Sequence, residues 1–190
     1  MKNTASFAKF DRLAAAWTLA RPVGWLLAAS LLLAAQAGAA TVTGQVVGVV
    51  DGDTIKLLDA DQRQHTIRLS GIDAPEKKQA FGQRSKASLS QLVFGQYVQV
   101  ETGKSDRYGR SLGKVLLAGE DVNLEQLRRG LAWHYKKYAN QQPAPERAAY
   151  LLAENLARQA EEGLWQDPHP VAPWTFRHPE KAAAGEQSTP

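Results

Sequence analysis

Residues 41–70 read TVTGQVVGVVDGDTIKLLDADQRQHTIRLS, and this stretch decides the fold. Apolar residues alternate with polar ones, or form short runs, in three segments of this stretch. The segments are separated by DGD and DADQRQ, whose residues are typical of tight turns. Period-two patterning with such short connections predicts three consecutive antiparallel strands, a β-meander.

The chain beyond the meander continues with helical and extended patterns. QRSKASLSQLVFG spaces its apolar residues as a short helix does and ends in glycine, and QYVQVET and SLGKVLLA predict two more strands. DVNLEQLRRG predicts a helix with Asn123 as its N-cap and Gln126 three residues later. PAPERAAYLLAENLARQAEEG predicts a longer helix, whose core-facing stripe is expected to be Ala149, Leu152, Leu156 and Ala160.

The order of these segments is β-β-β-α-β-β-α-α. Five short strands with a helix after the third are typical of a small Greek-key barrel of the OB type, which uses one face for oligonucleotides. The predicted fold class is therefore mainly β with helices, a five-stranded OB-fold barrel plus about three α-helices.

The first 39 residues differ from the rest in composition. A basic leading region is followed by an apolar run over 23–35 and by Ala37-Gly38-Ala39, which matches a signal-peptidase site. This pattern predicts a signal peptide over 1–39 and a secreted or periplasmic protein; an uncleaved membrane anchor is the alternative. A barrel domain is expected over 40–167, followed by a C-terminal extension over 168–190 that is disordered at its end.

Charge and cysteine content limit the possible partners. The leader holds four of the 23 basic residues and one of the 19 acidic residues, which leaves a net charge of only +1 on the mature chain. A nucleic acid would therefore be bound by a local basic patch and not by the overall field. Cysteine is absent, so disulfide partners and thiolate metal sites are excluded. We expect a monomer whose contact with a membrane is limited to the signal segment.

Charged residues gather at the ends of the predicted strands. Asp51-Gly52-Asp53 is either a plain turn or a turn that aims one carboxylate at a cation. Strand alternation would place Arg68 and Asp73 on opposite faces, unless the chain bends near Gly71. Further charged or aromatic residues of interest are Glu76 and, in the loop SDRYGRS, Asp106, Arg107, Tyr108 and Arg110.

Three motifs fall in order along the predicted barrel: DGDT at 51–54, an R-x-x-x-x-D-x-P-E segment at 68–76 and DRYGR at 106–110. Together with the later GLAWHYKKY and EEGLW, they closely resemble the staphylococcal nuclease (thermonuclease) family, from about Val47 to Trp165. The resemblance implies a calcium site made of Asp53, Asp73 and the backbone carbonyl of Ala74. Hard oxygen ligands suit Ca²⁺, and so few of them leave positions for water or phosphate.

The resemblance also implies roles for the remaining charged residues. Glu76 corresponds to the family's candidate general base, and Arg68 and Arg110 correspond to the pair that holds the scissile phosphate. A planar guanidinium can donate to two phosphate oxygens at once, which lysine cannot do. The residues implied to bind the rest of the substrate are Arg107, Tyr108 and Tyr135, with Trp133 and Tyr138 as alternatives to Tyr135.

The function implied is a Ca²⁺-dependent nuclease that hydrolyses DNA and RNA and leaves 3′-phosphate ends. The alternatives are a non-catalytic nucleic-acid-binding OB-fold module and a structural domain. The four histidines, His65, His134, His169 and His178, lack metal-ligand spacing and are expected at the surface or in loops.

Overall fold

A computed structural model describes residues 40–106 and 108–179; the predicted signal peptide, Arg107 and the end of the chain lie outside the described residues. The predicted meander is formed by β1 (Ala40–Asp51), β2 (Thr54–Asp59) and β3 (Gln64–Leu69). Each of the two antiparallel pairings is joined by a tight connection, as the turn residues indicate.

The sheet closes into a barrel. The sheet order is β3-β2-β1-β5-β6-β7, and β3 also pairs in parallel with β6. Its later strands are β5 (Tyr97–Ser105), β6 (Ser111–Leu117) and the two-residue β7 (Glu120–Asp121). The pairing of β3 with β6 joins five strands into a closed ring, which leaves no long unpaired edge among them. The predicted mainly-β fold with a five-stranded barrel and several helices is confirmed.

Short elements complete the described chain and carry parts of the site. Two of them, β4 (Ile72–Asp73) and β8 (Trp133–His134), pair with each other in a separate small sheet. The α-helices are α1 (Gly82–Val93), α2 (Val122–Arg128), α3 (Ala144–Gln159) and α4 (Pro173–Phe176). Among the helices of the described residues, none has both the length and the apolar character needed to cross a membrane.

The core of the barrel is aliphatic. Burying each such side chain contributes about 2 kcal/mol, and this chain has no disulfide to supplement that term. The large side chains that are fully buried include Ile55, Leu57, Ile67, Leu69, Ile72, Leu89 and Leu127. A second, aromatic cluster contains Trp133, Ala157, Leu164 and Trp165, with Phe81, Ala172 and Trp174 packed against it.

The predicted N-cap of the second helix is wrong. Asp121 caps α2, and its carboxylate accepts from the backbone N–H of Leu124 at 2.9 Å. Asn123 lies inside the helix and is fully buried, where its side chain accepts from the Val115 N–H and donates to the Ser70 carbonyl. Both residue types cap helices well, and the contacts that bury Asn123 are visible only in the tertiary structure.

The predicted stripe of the long helix is also wrong. Leu152 and Leu156 are 58% and 54% exposed. The buried residues of α3 are Tyr150, Ala153, Glu154 and Ala157. The buried face is therefore rotated by about one residue from the most apolar face. The helix packs closely through its alanines and buries a glutamate whose charge is compensated by ion pairs.

Candidate active site

The turn between β1 and β2 presents Asp53. The Asp51 carboxylate accepts from the Asp53 N–H at 3.1 Å, which forms an Asx-turn. A Cβ on Gly52 would overlap the Ser85 hydroxyl, so the turn can approach α1 this closely only with glycine. The Gly52 carbonyl accepts from the buried Gln126 side chain at 2.9 Å. These contacts hold Asp53 in place at 2% exposure.

A bend after β3 brings Arg68 and Asp73 together. Gly71 has a φ of 73°, which ends the strand before Asp73 enters β4. β4 then pairs with β8, with Asp73 opposite Trp133. The bend thus overrides the alternation that would separate the two side chains.

One guanidinium bridges the two buried aspartates. Arg68 donates from Nη1 to Asp53 Oδ1 and from Nη2 to Asp73 Oδ1, the latter at 2.6 Å. The other oxygen of Asp53 accepts from the Ala74 N–H at 2.8 Å. Asp73 is 0% exposed. The predicted ligands Asp53, Asp73 and Ala74 therefore lie together at one end of the barrel.

Burial and charge perturb this group strongly. Burial, followed by the Asp53 charge, raises the pKa of Asp51 to about 6. Burial also raises the pKa of Asp73, while hydrogen bonds and charge from Arg177 and Arg68 oppose that rise. Burial alone would lower the pKa of Arg68, but the Asp53 and Asp73 charges raise it. Several carboxylates therefore lie close together in a buried region, and nearby positive charge stabilises them.

Glu76 lies at the start of a tight loop beside this group. Its N–H donates to the Gln79 side chain at 3.0 Å, and its carbonyl accepts from the Gln79 N–H at 2.8 Å. Glycine at position 82 is required because a Cβ there would overlap the Glu76 carbonyl. The Glu76 side chain is 38% exposed, which leaves the carboxylate open to water.

A residue that sequence reasoning missed completes the cluster. Arg177 follows α4 and bonds through Nη2 to Asp73 Oδ2 and through Nη1 to Glu76 Oε1, both at 2.6 Å. It is separated from these residues by 104 and 101 positions in the sequence. The only local signal is the segment PWTFRH, in which a basic residue follows two aromatic ones.

The second predicted phosphate-binding arginine is held within its own loop. Arg110 donates from Nε to Asp106 Oδ2 at 2.7 Å, and its guanidinium lies 5.6 Å from the centre of the Tyr108 ring. Tyr108 is 68% exposed. Among the described residues, the ion pair of Arg110 is with Asp106 and not with the clustered carboxylates, so its phosphate-binding role stays a prediction. Arg107, also predicted to bind substrate, lies outside the described residues.

The three aromatic candidates in and after β8 differ in exposure: Trp133 is buried, Tyr135 half-buried and Tyr138 exposed. Trp133 is 9% exposed and packs edge-on against Trp165 and Trp174, with ring centres 4.5 and 5.5 Å away. Tyr135 contacts the Trp174 ring at 5.6 Å and the Tyr138 ring at 5.5 Å. Tyr135 thus borders the segment that delivers Arg177, and its substrate-binding role stays a prediction.

The expectation for one histidine is wrong. His134 is 2% exposed, with Nε2 2.9 Å from the Gln142 side-chain oxygen and its ring against Tyr150. It belongs to β8, and its burial follows from the pairing of that strand with β4. It is a structural residue of the strand pair that carries Asp73.

Comparisons with known proteins show which family this chain is similar to. A family model described as Staphylococcal nuclease homologue matches residues 66–167. An uncharacterized endonuclease of Escherichia coli O157:H7 is 44% identical over 140 residues, covering 73% of this chain and 87% of its own. A micrococcal nuclease of Shigella flexneri is 38% identical over 165 residues, covering 82% and 92%.

This chain belongs to the staphylococcal nuclease family. A plant member of the family, the staphylococcal-like nuclease CAN1 of Arabidopsis thaliana, is 39% identical over 115 residues, covering 60% of this chain and 34% of its own. The family resemblance inferred from the three motifs is therefore confirmed.

The donor set of this family member fits a hard divalent cation. Asp53 and Asp73 place carboxylate oxygens around one guanidinium, and with Asp51 and Glu76 the acids of this group outnumber Arg68 and Arg177. Carboxylate and carbonyl oxygens are the ligands that Ca²⁺ prefers. Within residues 40–106 and 108–179, no three or more His, Cys, Asp or Glu side chains form a metal-binding group. The implied site has only two such side chains, and both carboxylates are bonded to guanidinium groups.

Proposed function

We propose that this protein is a Ca²⁺-dependent nuclease that hydrolyses phosphodiester bonds of DNA and RNA and leaves 3′-phosphate ends. Membership of a family with nuclease-named relatives supports the coarser part, an endonuclease. The observation that carries the proposal is the convergence of Asp53, Arg68 and Asp73 beside Glu76, although these residues come from three separate elements.

Asp53, Asp73 and the Ala74 carbonyl would hold the cation. When bound, Ca²⁺ supplies positive charge that polarises the scissile phosphate and stabilises the charge developing in the transition state. The Asx-turn at Asp51 and the N–H of Ala74 keep the Asp53 carboxylate oriented before substrate arrives. This preorganisation avoids the cost of rearranging the ligands during the reaction.

The remaining residues act on the phosphate and on water. Arg68 has five N–H donors, and the two that bond the aspartates leave others for a phosphate oxygen. Glu76 is open to solvent and orients or deprotonates the attacking water. Arg110 supplies a second guanidinium once substrate draws it from Asp106. Each preorganised donor contributes about 3 kcal/mol of transition-state stabilisation.

The test is cleavage of end-labelled DNA and RNA by the purified chain, in Ca²⁺ or in excess chelator. Cleavage only with Ca²⁺, giving ends that a polymerase extends only after phosphatase treatment, is the expected result. Glu76→Gln and Arg110→Ala should each slow cleavage by roughly 100-fold or more. Glu120→Gln, at an exposed position of β7, is the matched control and should leave the rate unchanged. A mobility shift without cleavage would instead favour the non-catalytic binding module.

We also propose that the protein is exported and acts as a monomer. The basic, apolar and small-residue regions of positions 1–39 support export. N-terminal sequencing of protein from the extracytoplasmic fraction should start near Ala40. Recovery of the uncut chain from membranes would favour an anchor, and light scattering would report the oligomeric state.

A further inference from the structure

The Asp73 carboxylate is bonded on both of its oxygens by arginines. Oδ1 accepts from Arg68 at 2.6 Å and from Arg177 at 3.2 Å, and Oδ2 accepts from Arg177 at 2.6 Å. Arg177 therefore makes a bidentate contact with Asp73 and extends to Glu76 with the same guanidinium. Asp73 is an implied cation ligand, so Arg177 occupies the oxygens that a cation would use.

The C-terminal segment, defined here as residues 168–179, is anchored so that Arg177 reaches this position. The Val171 carbonyl accepts from Gln79 Nε2 at 2.5 Å, which ties the segment to the loop after Glu76. Pro173 is buried, and Trp174 packs against the rings of Trp133 and Tyr135. The backbone of this segment is thus held by contacts that do not involve the Arg177 side chain.

The Arg177 side chain itself is less firmly enclosed than its partner. It is 35% exposed, whereas Asp73 is 0% exposed. A long side chain on an anchored backbone can exchange a carboxylate for water at modest cost, while a buried carboxylate cannot be left without a cation. The Asp73 carboxylate therefore stays in place, and the mobile partner is the guanidinium.

A divalent cation and a guanidinium on the same carboxylate repel each other. Two charges of like sign a few ångströms apart in a partly buried site repel each other strongly, so both cannot bind Asp73 at full strength. Arg68 contacts both Asp53 and Asp73 and is only 16% exposed, so it is a fixed part of the site. Arg177 is the more exposed cation of the pair, so its guanidinium can leave the carboxylate at a lower cost.

We propose that Arg177 competes with the catalytic cation for Asp73, so that cation binding requires this guanidinium to leave the carboxylate. The C-terminal segment thereby sets the cation concentration at which the enzyme is loaded. This inference rests on the proposed Ca²⁺ site. It adds Arg177, which lies outside the three family motifs, to the residues that control Ca²⁺ binding.

The test is calorimetric titration of CaCl₂ into the full chain, comparing the wild type with Arg177→Gln. Removing the competing charge should tighten Ca²⁺ binding by about tenfold. Arg84→Gln is the matched control, because Arg84 carries the same charge but rests on the Phe81 ring at 5.2 Å. Its Ca²⁺ affinity should stay within about twofold of the wild type.

Arg177→Lys and thermal unfolding provide independent readouts. Lysine cannot make the bidentate contact, so its Ca²⁺ affinity should lie between those of the wild type and Arg177→Gln. Without Ca²⁺, Arg177→Gln should melt below the wild type, because the acidic cluster loses a cation. Saturating Ca²⁺ should close that gap.

Unchanged or weaker Ca²⁺ binding in Arg177→Gln, with Arg177→Lys behaving alike, would overturn the competition. The same holds if neither the wild type nor Arg177→Gln binds Ca²⁺ at all. Failure of the proposed function is a separate result: the wild type would then show no Ca²⁺-dependent cleavage. If the wild type cleaves with Ca²⁺ but Arg177→Gln binds Ca²⁺ no more tightly than the wild type, this inference is wrong and the proposed function still stands.

Discussion

Asp73 and Glu154 are two acids of equal burial with opposite surroundings. Both are 0% exposed, and both hold the small β4–β8 sheet: Asp73 belongs to β4, and Glu154 accepts from the His134 N–H of β8 at 3.2 Å. Glu154 is the single acid between Lys136, at 2.7 Å, and Arg158, at 3.5 Å.

The surroundings of Asp73 contain more acids than cations. Asp51, Asp53 and Glu76 join it, against two guanidinium groups. Burial is the same for both acids, so burial does not distinguish a structural acid from a functional one. The excess of negative charge does distinguish the two acids, because a further cation would stabilise such an excess.

The largest expected effect separates the two acids by activity. Asp73→Asn should reduce cleavage by about 100- to 1,000-fold, because it removes a cation ligand and charge complementarity to the transition state. Glu154→Gln, the matched substitution at the structural acid, should leave the rate per folded molecule unchanged. Initial rates at saturating Ca²⁺ check this, and equal losses in both variants would remove the distinction.

A smaller effect concerns the backbone that presents Asp53. Gly52→Ala should lower the free energy of unfolding by about 3 kcal/mol, because its Cβ would overlap Ser85 and crowd Ala74. Gly103→Ala is the control, since a Cβ there meets nothing within 4 Å. Urea unfolding measures both. If the two variants were equally stable, the turn would not depend on close packing.

The structural acid should show its effect in stability. Glu154→Gln should lower the free energy of unfolding by about 2 kcal/mol, because charge-assisted bonds to two cations are weakened. The loss stays moderate because Lys136 and Arg158 are 55% and 40% exposed and can return to water. Chemical denaturation tests this, and a variant as stable as the wild type would show that the pairing contributes nothing.

The smallest effect is expected at a half-buried acid, Asp59, that lies outside both clusters. The hydrogen bond from His65, followed by that from the Arg63 N–H, lowers the pKa of Asp59. This carboxylate therefore stabilises the folded chain above its unfolded pKa, and the contribution is lost as the pH falls through the lower folded value. Asp59→Asn should flatten the acid limb of the stability curve, below the ordinary pKa of an aspartate at about 4. Unfolding at several pH values measures it, and identical acid limbs would contradict the assignment.

Prediction from sequence succeeded where the signal is local. The meander and the barrel strands follow from alternation and turn residues. The grouping of Asp53, Arg68 and Asp73 was implied by the family resemblance instead, because alternation alone would place Arg68 and Asp73 on opposite faces. Prediction failed where two local signals are equivalent. Asn123 and Asp121 are both residue types that cap helices. Asp121 is the cap here because the Asn123 side chain is buried and donates to a backbone carbonyl of the barrel domain instead.

The amino-acid sequence by itself determined the barrel, because period-two patterning and turn chemistry act over a few residues, and its three motifs carried the resemblance to the family. Only the tertiary structure decided which face of α3 is buried, that His134 lies in the interior and that Arg177 reaches Asp73. These three outcomes depend on charge and packing balances between segments that lie far apart in the chain. No local sequence pattern predicts such a balance, because it depends on which distant segments the folded chain brings into contact.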